Sequence, residues 1–260
     1  MPFHRTDEGK IQWPQGISSD DRRFCREIYS TLINHDIVRV QSVYEQAGLK
    51  QSSNVVIGCS GGLDSTVLSH AYVQRVILRP KINDQVISTT LMYVNHNLRS
   101  KSEIDLDIKH VNYLAKSLDV RVNVTSVNVQ EGNVQAQARE ARYDAMVRVA
   151  GQLGSASIYL AHHANDIAET KLWQFLTGRQ VIGINRTLVR NNIVFSRPLL
   201  DFTREDLVRY AGIWNLNWHE DYTNSTDKYA RNRIRHELIP WIEKDLNPGI
   251  VKMLGKVGGL

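Results

Sequence analysis

Two cysteines, Cys25 and Cys59, are all that the chain contains. That is too few for a disulfide framework or for a cysteine-held iron–sulfur cluster. Cys59 closes a short apolar run and reads as a small buried hydrophobe. No uninterrupted apolar stretch is long enough to span a membrane. The opening residues, MPFHRTDEGK, lack the apolar core of a signal peptide. These absences lead us to expect a soluble, cytoplasmic protein. There is no internal repeat and no low-complexity tract. Neither sign of charge dominates: 32 Lys+Arg against 27 Asp+Glu leave +5 over 260 residues. That is a mild lean toward anionic partners, and a solvated basic surface explains it equally well. With 42% hydrophobic and 23% charged residues, the chain can bury a full globular core.

What is present is concentrated in one stretch, Asn54 to Ser65, NVVIGCSGGLDS. Val55, Val56 and Ile57 read as a buried parallel strand. Ser60, Gly61 and Gly62 follow, then an amphipathic run opening near Asp64. Strand, glycine turn and helix together point backbone N–H groups and a helix N-terminus at an anion. Glycine permits the close approach and a positive φ. The Walker form G-x-x-x-x-G-K-[ST] is missing, because no Lys follows these glycines. The run from Gly249 to Lys256 has one residue too many and ends in Val257. Asp64 would repel a bare phosphate, so it makes sense with a bridging cation such as Mg²⁺. An ordinary βα turn capped by Asp64 is the plain alternative.

Along the chain, residues 1–50 read as an irregular arm followed by one or two helices ending near Gly48. Residues 51–200 alternate strand and helix. Strands are expected at 54–58, 86–94, 120–129 and 157–161, with Ile193–Ser196 a short last one. Helices are expected from Asp64 to Leu78, from a Ser102 cap through Leu118, from an Asn133 cap through Ala150, and over Asn165–Leu176. Glu103, Asp105 and Asp107 are read as first-turn acids of the second of these helices. Ala168, Leu172, Phe175 and Leu176 are expected to face inward from the last. Thr177 to Asn192 reads as a loop. This order implies an α/β fold with a doubly wound parallel sheet. Residues 201–260 read as a helical extension, with Thr203 capping one helix and a second, begun near Tyr229, broken at Pro240.

The unusual polar residues fall after strands, where open parallel sheets bind ligands. Ser60 to Ser65 follow the first strand. Asn95-His96-Asn97-Leu98-Arg99 follow the second. His162-His163-Ala164-Asn165-Asp166 follow the fourth, with Glu169 one turn on. Arg139 and Arg142 neighbour each other on a helix face. Asp166 and Glu169 read either as a helix-capping pair or as carboxylates for Mg²⁺ or an amine. Adjacent histidines diverge and no Cys lies near, which argues against zinc. For His162 a phosphate contact or an acid/base role is the stronger reading. Arg231 and Arg235, four apart, present one basic helix face suited to phosphate.

SGGLDS resembles the PP-loop of the N-type ATP pyrophosphatases. Together with VNHNLR, GNVQAQAREARY, LAHHANDIAET, FSRPLL, EDYTN and YARNRIRHELIP, it resembles the tRNA(Ile)-lysidine synthetase family over residues 54 to 240. The resemblance implies a PP-loop α/β fold with ATP and Mg²⁺ as cofactors. It also implies two partners, free L-lysine and the anticodon loop of an isoleucine tRNA; a homodimer is left open. The implied reaction adenylates O2 of the wobble cytidine, releases pyrophosphate, and lets the lysine ε-amine displace AMP. Ser60, Gly61, Gly62, Leu63, Asp64 and Ser65 would bind the nucleotide. Asp64, His162, Asp166, Glu169, Arg139 and Arg142 would be catalytic, with Asp64 and Asp166 on the metal. His96, Arg99, Arg231, Asn232 and Arg235 would contact tRNA or adenylate. Asn165 stands where many members carry a second Asp. Members usually continue into a further tRNA-binding domain, which we expect this sequence to lack. A tRNA-thiolating enzyme and a non-catalytic nucleotide- or tRNA-binding module of the same fold are the rival readings.

Overall fold

The computed structural model describes residues 10–35, 40–50, 52–78, 80–82, 85–97, 100–127, 134–219 and 230–256. Arg99, the Asn133 cap, the EDYTN string and Tyr229 lie outside them. The main sheet is built from β1 (Asn54–Gly58), β4 (Ser88–Asn95), β5 (Arg121–Ser126), β6 (Ser157–Tyr159), β7 (Thr187–Arg190) and β8 (Ile193–Ser196). A small hairpin of β2 (Lys81–Ile82) and β3 (Gln85–Val86) precedes β4, so the second strand begins later than expected. The order across the sheet is β5-β4-β1-β6-β8-β7. β1 pairs in parallel with β4 on one side and β6 on the other. Chain progress reverses between them, which is where doubly wound sheets open a ligand crevice.

The centre of β1, Val55 to Ile57, is apolar because both faces are covered. Val55 and Ile57 enter one core layer and Val56 enters the other. The first layer holds α3 (Leu63–Leu78), α4 (Lys101–Leu118) and α7 (Arg204–Ile213). It also takes in the leader helix α1 (Ser19–Asn34) through Cys25, Ile28, Tyr29 and Leu32. The Tyr29 and Tyr210 hydroxyls lie 3.0 Å apart, and Tyr210 reaches His70 Nδ1 at 2.8 Å. The second layer packs Tyr143, Met146, Val149 and Ala150 of α5 (Val134–Gln152) on Val56, Met92, Ile158 and Phe195. A short α2 (Gln41–Gln46) ends ahead of Gly48, as the sequence indicated.

Several local expectations change. Ser100, rather than Ser102, caps α4: its hydroxyl accepts from Glu103 N–H, and the Glu103 carboxylate accepts from Ser100 N–H at 3.0 Å. With the helix starting at Lys101, Glu103 is its first-turn acid; Asp105 and Asp107 lie beyond that turn, and Asp107 is buried. Residues 187–190 form the antiparallel edge strand β7, joined to β8 by Asn191 and Asn192, both at positive φ. That two-residue turn is the type that matches strand twist. In α6 (Ala164–Leu176), Phe175 and Leu176 are exposed, not inward. Pro240 does not break the terminal helix. α8 (Ala230–Arg233) passes through a π turn at Ile234–Leu238 into α9 (Ile239–Asp245), which carries that proline in its first turn. The wider turn bonds Ile239 N–H to Ile234 O, so the ring is taken up where an α-turn would clash. α10 (Ile250–Lys256) then packs on α6, and Lys171 Nζ donates to Leu254 O at 2.7 Å.

Candidate active site

The glycine turn leaves β1 at Cys59, whose N–H donates to Met92 O at 2.8 Å. Gly61 takes φ +87, a conformation that favours glycine. Ser65 Oγ accepts from Ser60 N–H at 3.1 Å and donates to Gly62 O at 3.1 Å. The first intrahelical bond runs from Thr66 N–H to Gly62 O. The N–H groups of Leu63, Asp64 and Ser65 precede it and have no acceptor within the helix. Leu63 is buried in the core, so only its backbone can face a ligand.

Asp64 leads the helix toward the end of β6. Its Oδ2 lies 3.6 Å from His163 Nε2, and the same nitrogen is 3.7 Å from Asp166 Oδ2. His163 is 2% exposed. Burial alone would lower its pKa. Asp166, then Asp64, more than offset that, and the pKa is raised. Asp166 is the N3 residue of α6, and its Oδ2 accepts from His163 N–H at 2.9 Å. Burial pushes Asp166 up, but His163 and His162 outweigh it and hold the carboxyl below its ordinary value. The capping partner of Asp166 is thus His163, three residues earlier, and not Glu169.

Glu169 instead receives the guanidinium of Arg235, at 2.6 Å from Nε and 3.0 Å from Nη2. Nη2 also reaches Asp166 Oδ1 at 3.4 Å. The pair is asymmetric. Glu169 is the more deeply buried, so burial wins there and its pKa is raised despite Arg235. Arg231 donates to Thr170 Oγ1 on the same helix. Asn232 is half-buried beside it.

His162 faces the other way. Burial drives its pKa down to about 4, Asp166 opposing and Arg197, Arg142 and Arg139 adding to the fall. Its Nδ1 is buried without a hydrogen-bond partner, and the imidazole is neutral at pH 7. That suits hydrogen bonding better than proton transfer near neutrality. Arg139 lies 5.4 Å from the Tyr143 ring centroid. Burial also lowers the pKa of Arg142. Arg197 is buried, donating to Asn185 O at 2.6 Å and Tyr143 Oη at 3.0 Å. His96 sits half-buried at the end of β4, next to β1.

The residues singled out from α3, α5, α6, α8 and the π turn after it therefore gather along one sheet edge. Sequence reading gave no role in the site to His163, Arg197 or Asp107. His163 stood in the polar cluster after the fourth strand, where it was weighed only for zinc. Arg197 was visible within FSRPLL. Asp107 sits three after Ile104 and four before Val111, on the apolar stripe of α4, a position where a carboxylate is unusual.

Two carboxylates suit a Mg²⁺ that keeps waters and phosphate oxygens as its other ligands. Asp64 fits: its Oδ1 is buried, accepts no hydrogen bond, and has Arg204 Nη1 at 3.6 Å. Asp166 fits less well, with one oxygen on His163 N–H and the other near Arg235. Asn165 is turned away, its Oδ1 accepting from Arg204 N–H at 2.9 Å. Among the described residues no group of three His, Cys, Asp or Glu forms a ready cage. No helix among them is long and apolar enough to cross a membrane.

A mostly parallel sheet with a glycine turn aimed at a carboxylate–histidine cluster defines an α/β protein of the phosphate-loop kind. The chain belongs to the PP-loop domain family, whose model matches residues 32–242. It is similar to the tRNA(Ile)-lysidine synthase of Clostridium perfringens, 32% identical over 224 residues, 84% of this chain and 46% of that one. Similarity to the Thermotoga maritima protein of the same name is 31% over 208 residues, 78% of this chain and 48% of that one. The chain spans about half the length of these curated relatives. Among solved structures it resembles the U34-tRNA thiolase NcsA of Methanococcus maripaludis with its [4Fe-4S] cluster. The TM-score is 0.66 at 15% identity, covering 90% of this chain and 78% of that one. At that identity the likeness concerns the fold.

Proposed function

We propose that the chain carries the ATP-dependent ligation of lysine to C2 of the wobble cytidine of an isoleucine tRNA, in the cytoplasm. The observation that carries this reading is Asp64, whose buried Oδ1 accepts no hydrogen bond, standing between the glycine turn and His163–Asp166. The similarity to tRNA(Ile)-lysidine synthases supports the choice of substrates.

ATP binds with its phosphates against the turn of Ser60 to Ser65, and the cytidine O2 attacks the α-phosphorus. Pyrophosphate leaves. The lysine ammonium gives up a proton to solvent, its ε-amine attacks C2, the C2–O2 bond breaks, and AMP departs with that oxygen. Mg²⁺, when bound, supplies charge neutralisation for the departing pyrophosphate. Asp64 would hold that ion, with Asp166 beside it. Asp166 and Glu169 bring negative charge to the incoming ammonium. Arg139 and Arg142 oppose phosphate charge from the far side of neutral His162. Arg231, Asn232, Arg235 and His96, with Arg99, contact adenylate or tRNA. The target base lies in a single-stranded loop, where splaying it costs little stacking.

The thiolase reading is disfavoured by its need for a reactive thiol. Burial raises the pKa of Cys25 to about 11 and also raises that of Cys59, so both are poor nucleophiles. Pyrophosphate release with ATP, isoleucine tRNA and lysine tests the proposal. We expect release that depends on lysine for completion and disappears in Asp64→Ala, which still melts cooperatively. Release unaffected by Asp64→Ala would refute the assignment, and none in the native chain would leave a binding module.

A further inference from the structure

Ser65 ties Ser60 N–H and Gly62 O within the glycine turn, but the peptide between Gly61 and Gly62 is held only weakly from inside it. Gly62 N–H reaches Ser60 Oγ only at 3.4 Å. The firm hold on the peptide between Gly61 and Gly62 comes from outside it. Gly61 O accepts from the backbone N–H of His219 at 3.0 Å. The His219 imidazole donates through Nδ1 to Asp107 Oδ1 at 3.0 Å, and Tyr93 Oη donates to Asp107 Oδ2 at 3.0 Å. Asp107 is 2% exposed. From the same helix, a Cβ on Gly61 would stand 3.6 Å from His110 Cδ2 and 3.8 Å from Asp107 O. The turn is thus walled by α4 and tethered to the chain that follows α7.

We propose that Asp107 and His219 are positioning residues for the nucleotide-binding turn. The inference rests on the reading that ATP binds at Ser60 to Ser65. A carbonyl and the next N–H share one rigid peptide plane. Holding Gly61 O therefore fixes where Gly62 N–H points and where the first turn of α3 begins. Preset donors need no reorganisation when phosphate arrives, which is the source of their strength. Asp107 acts at one remove. It fixes the His219 ring, and the ring fixes its own backbone N–H under Gly61. A buried carboxylate that served only to stabilise α4 would have no need of a partner 112 residues along the chain. Neither residue touches the nucleotide on this account, so their effect belongs in affinity for ATP rather than in the chemical step.

The test is calorimetric titration of the whole chain with α,β-methylene-ATP and Mg²⁺, without tRNA. Asp107→Ala and His219→Ala should weaken binding roughly tenfold or more, the scale of one lost hydrogen bond to a charged group. Asp107→Asn keeps an acceptor and should recover binding to within about threefold of the native chain. In turnover, the Ala variants should raise KM for ATP more than they lower kcat. Native affinity in folded Ala variants would overturn the proposal, as would an Asn variant no better than Ala. Should both Ala variants fail to fold, Tyr93→Phe carries the test: weaker nucleotide binding supports the tether, and unchanged binding overturns it. A native chain that binds no nucleotide overturns it too. If nucleotide binding responds as expected but lysine and tRNA produce no pyrophosphate, the functional reading fails and the tether stands.

Discussion

Burial would strip the proton from His163, but Asp166 and Asp64 keep it above its ordinary affinity. The sign of the pH effect follows. The folded-state pKa exceeds the unfolded value of 6.5. The stabilising contribution is therefore complete below that value and is lost as pH climbs through the higher folded one. The melting-temperature gap between the native chain and His163→Gln should narrow as pH rises above 6.5, by roughly 2–4 °C for each kcal/mol lost in a chain of this size. A gap that stays constant would mean the imidazole is not held charged. Arg235 and Glu169 invite a different test. Removing Arg235 strands a buried carboxylate and should cost about 2 kcal/mol, less than a fully buried pair because the guanidinium is one-third exposed. In urea, the double variant Arg235→Ala/Glu169→Ala should be less destabilised than the two singles added together. Strict additivity would show that the pair is not coupled.

Helices and strands were legible wherever one apolar period ran unbroken. α3, α4, α7 and the four inner strands follow that rule, as does the switch point between β1 and β6. Errors arose where tertiary contact decided. Ser100 and Ser102 are both plausible caps by composition, and only Ser100 has the Glu103 partner three residues on. Ser100→Ala should cost about 1 kcal/mol in urea unfolding, and Ser102→Ala less than about 0.5 kcal/mol, as for an ordinary surface change. Equal losses would mean that the box does not set the helix start. β7 was missed because an edge strand needs little apolar patterning, though Asn191-Asn192 was a hairpin signal. Phe175 and Leu176 keep helical spacing past the end of their packing surface. The site divides in the same way. The glycine turn, Asp64, Asp166 and Glu169 could be found from local patterns. The placement of His163 between two carboxylates, and of His219 under Gly61, depends on contacts between segments far apart in the chain.

At the scale of the whole molecule, the candidate site is assembled by both sides of the switch point and by a core that includes the leader. α1 packs on α3 through Ile28, Tyr29 and Leu32, and Asp64 lies in the first turn of α3. Ligand bound at the turn therefore couples to the unfolding of the main core. Binding only to the folded chain adds about 2.7 kcal/mol when ligand stands at a hundred times its dissociation constant. With Mg²⁺ and α,β-methylene-ATP at that excess, the melting temperature should rise by roughly 5–11 °C for a chain of this length. EDTA should remove most of the rise, because Asp64 left facing phosphate without a cation is repulsive. Asp64→Asn separates the two effects. It loses the charge that binds the ion and also the charge that repels phosphate. Its rise should be smaller than native with Mg²⁺ present and nearly the same with EDTA. A native rise indifferent to EDTA would remove the metal from Asp64, and a variant rise that tracked the native one in both conditions would do the same.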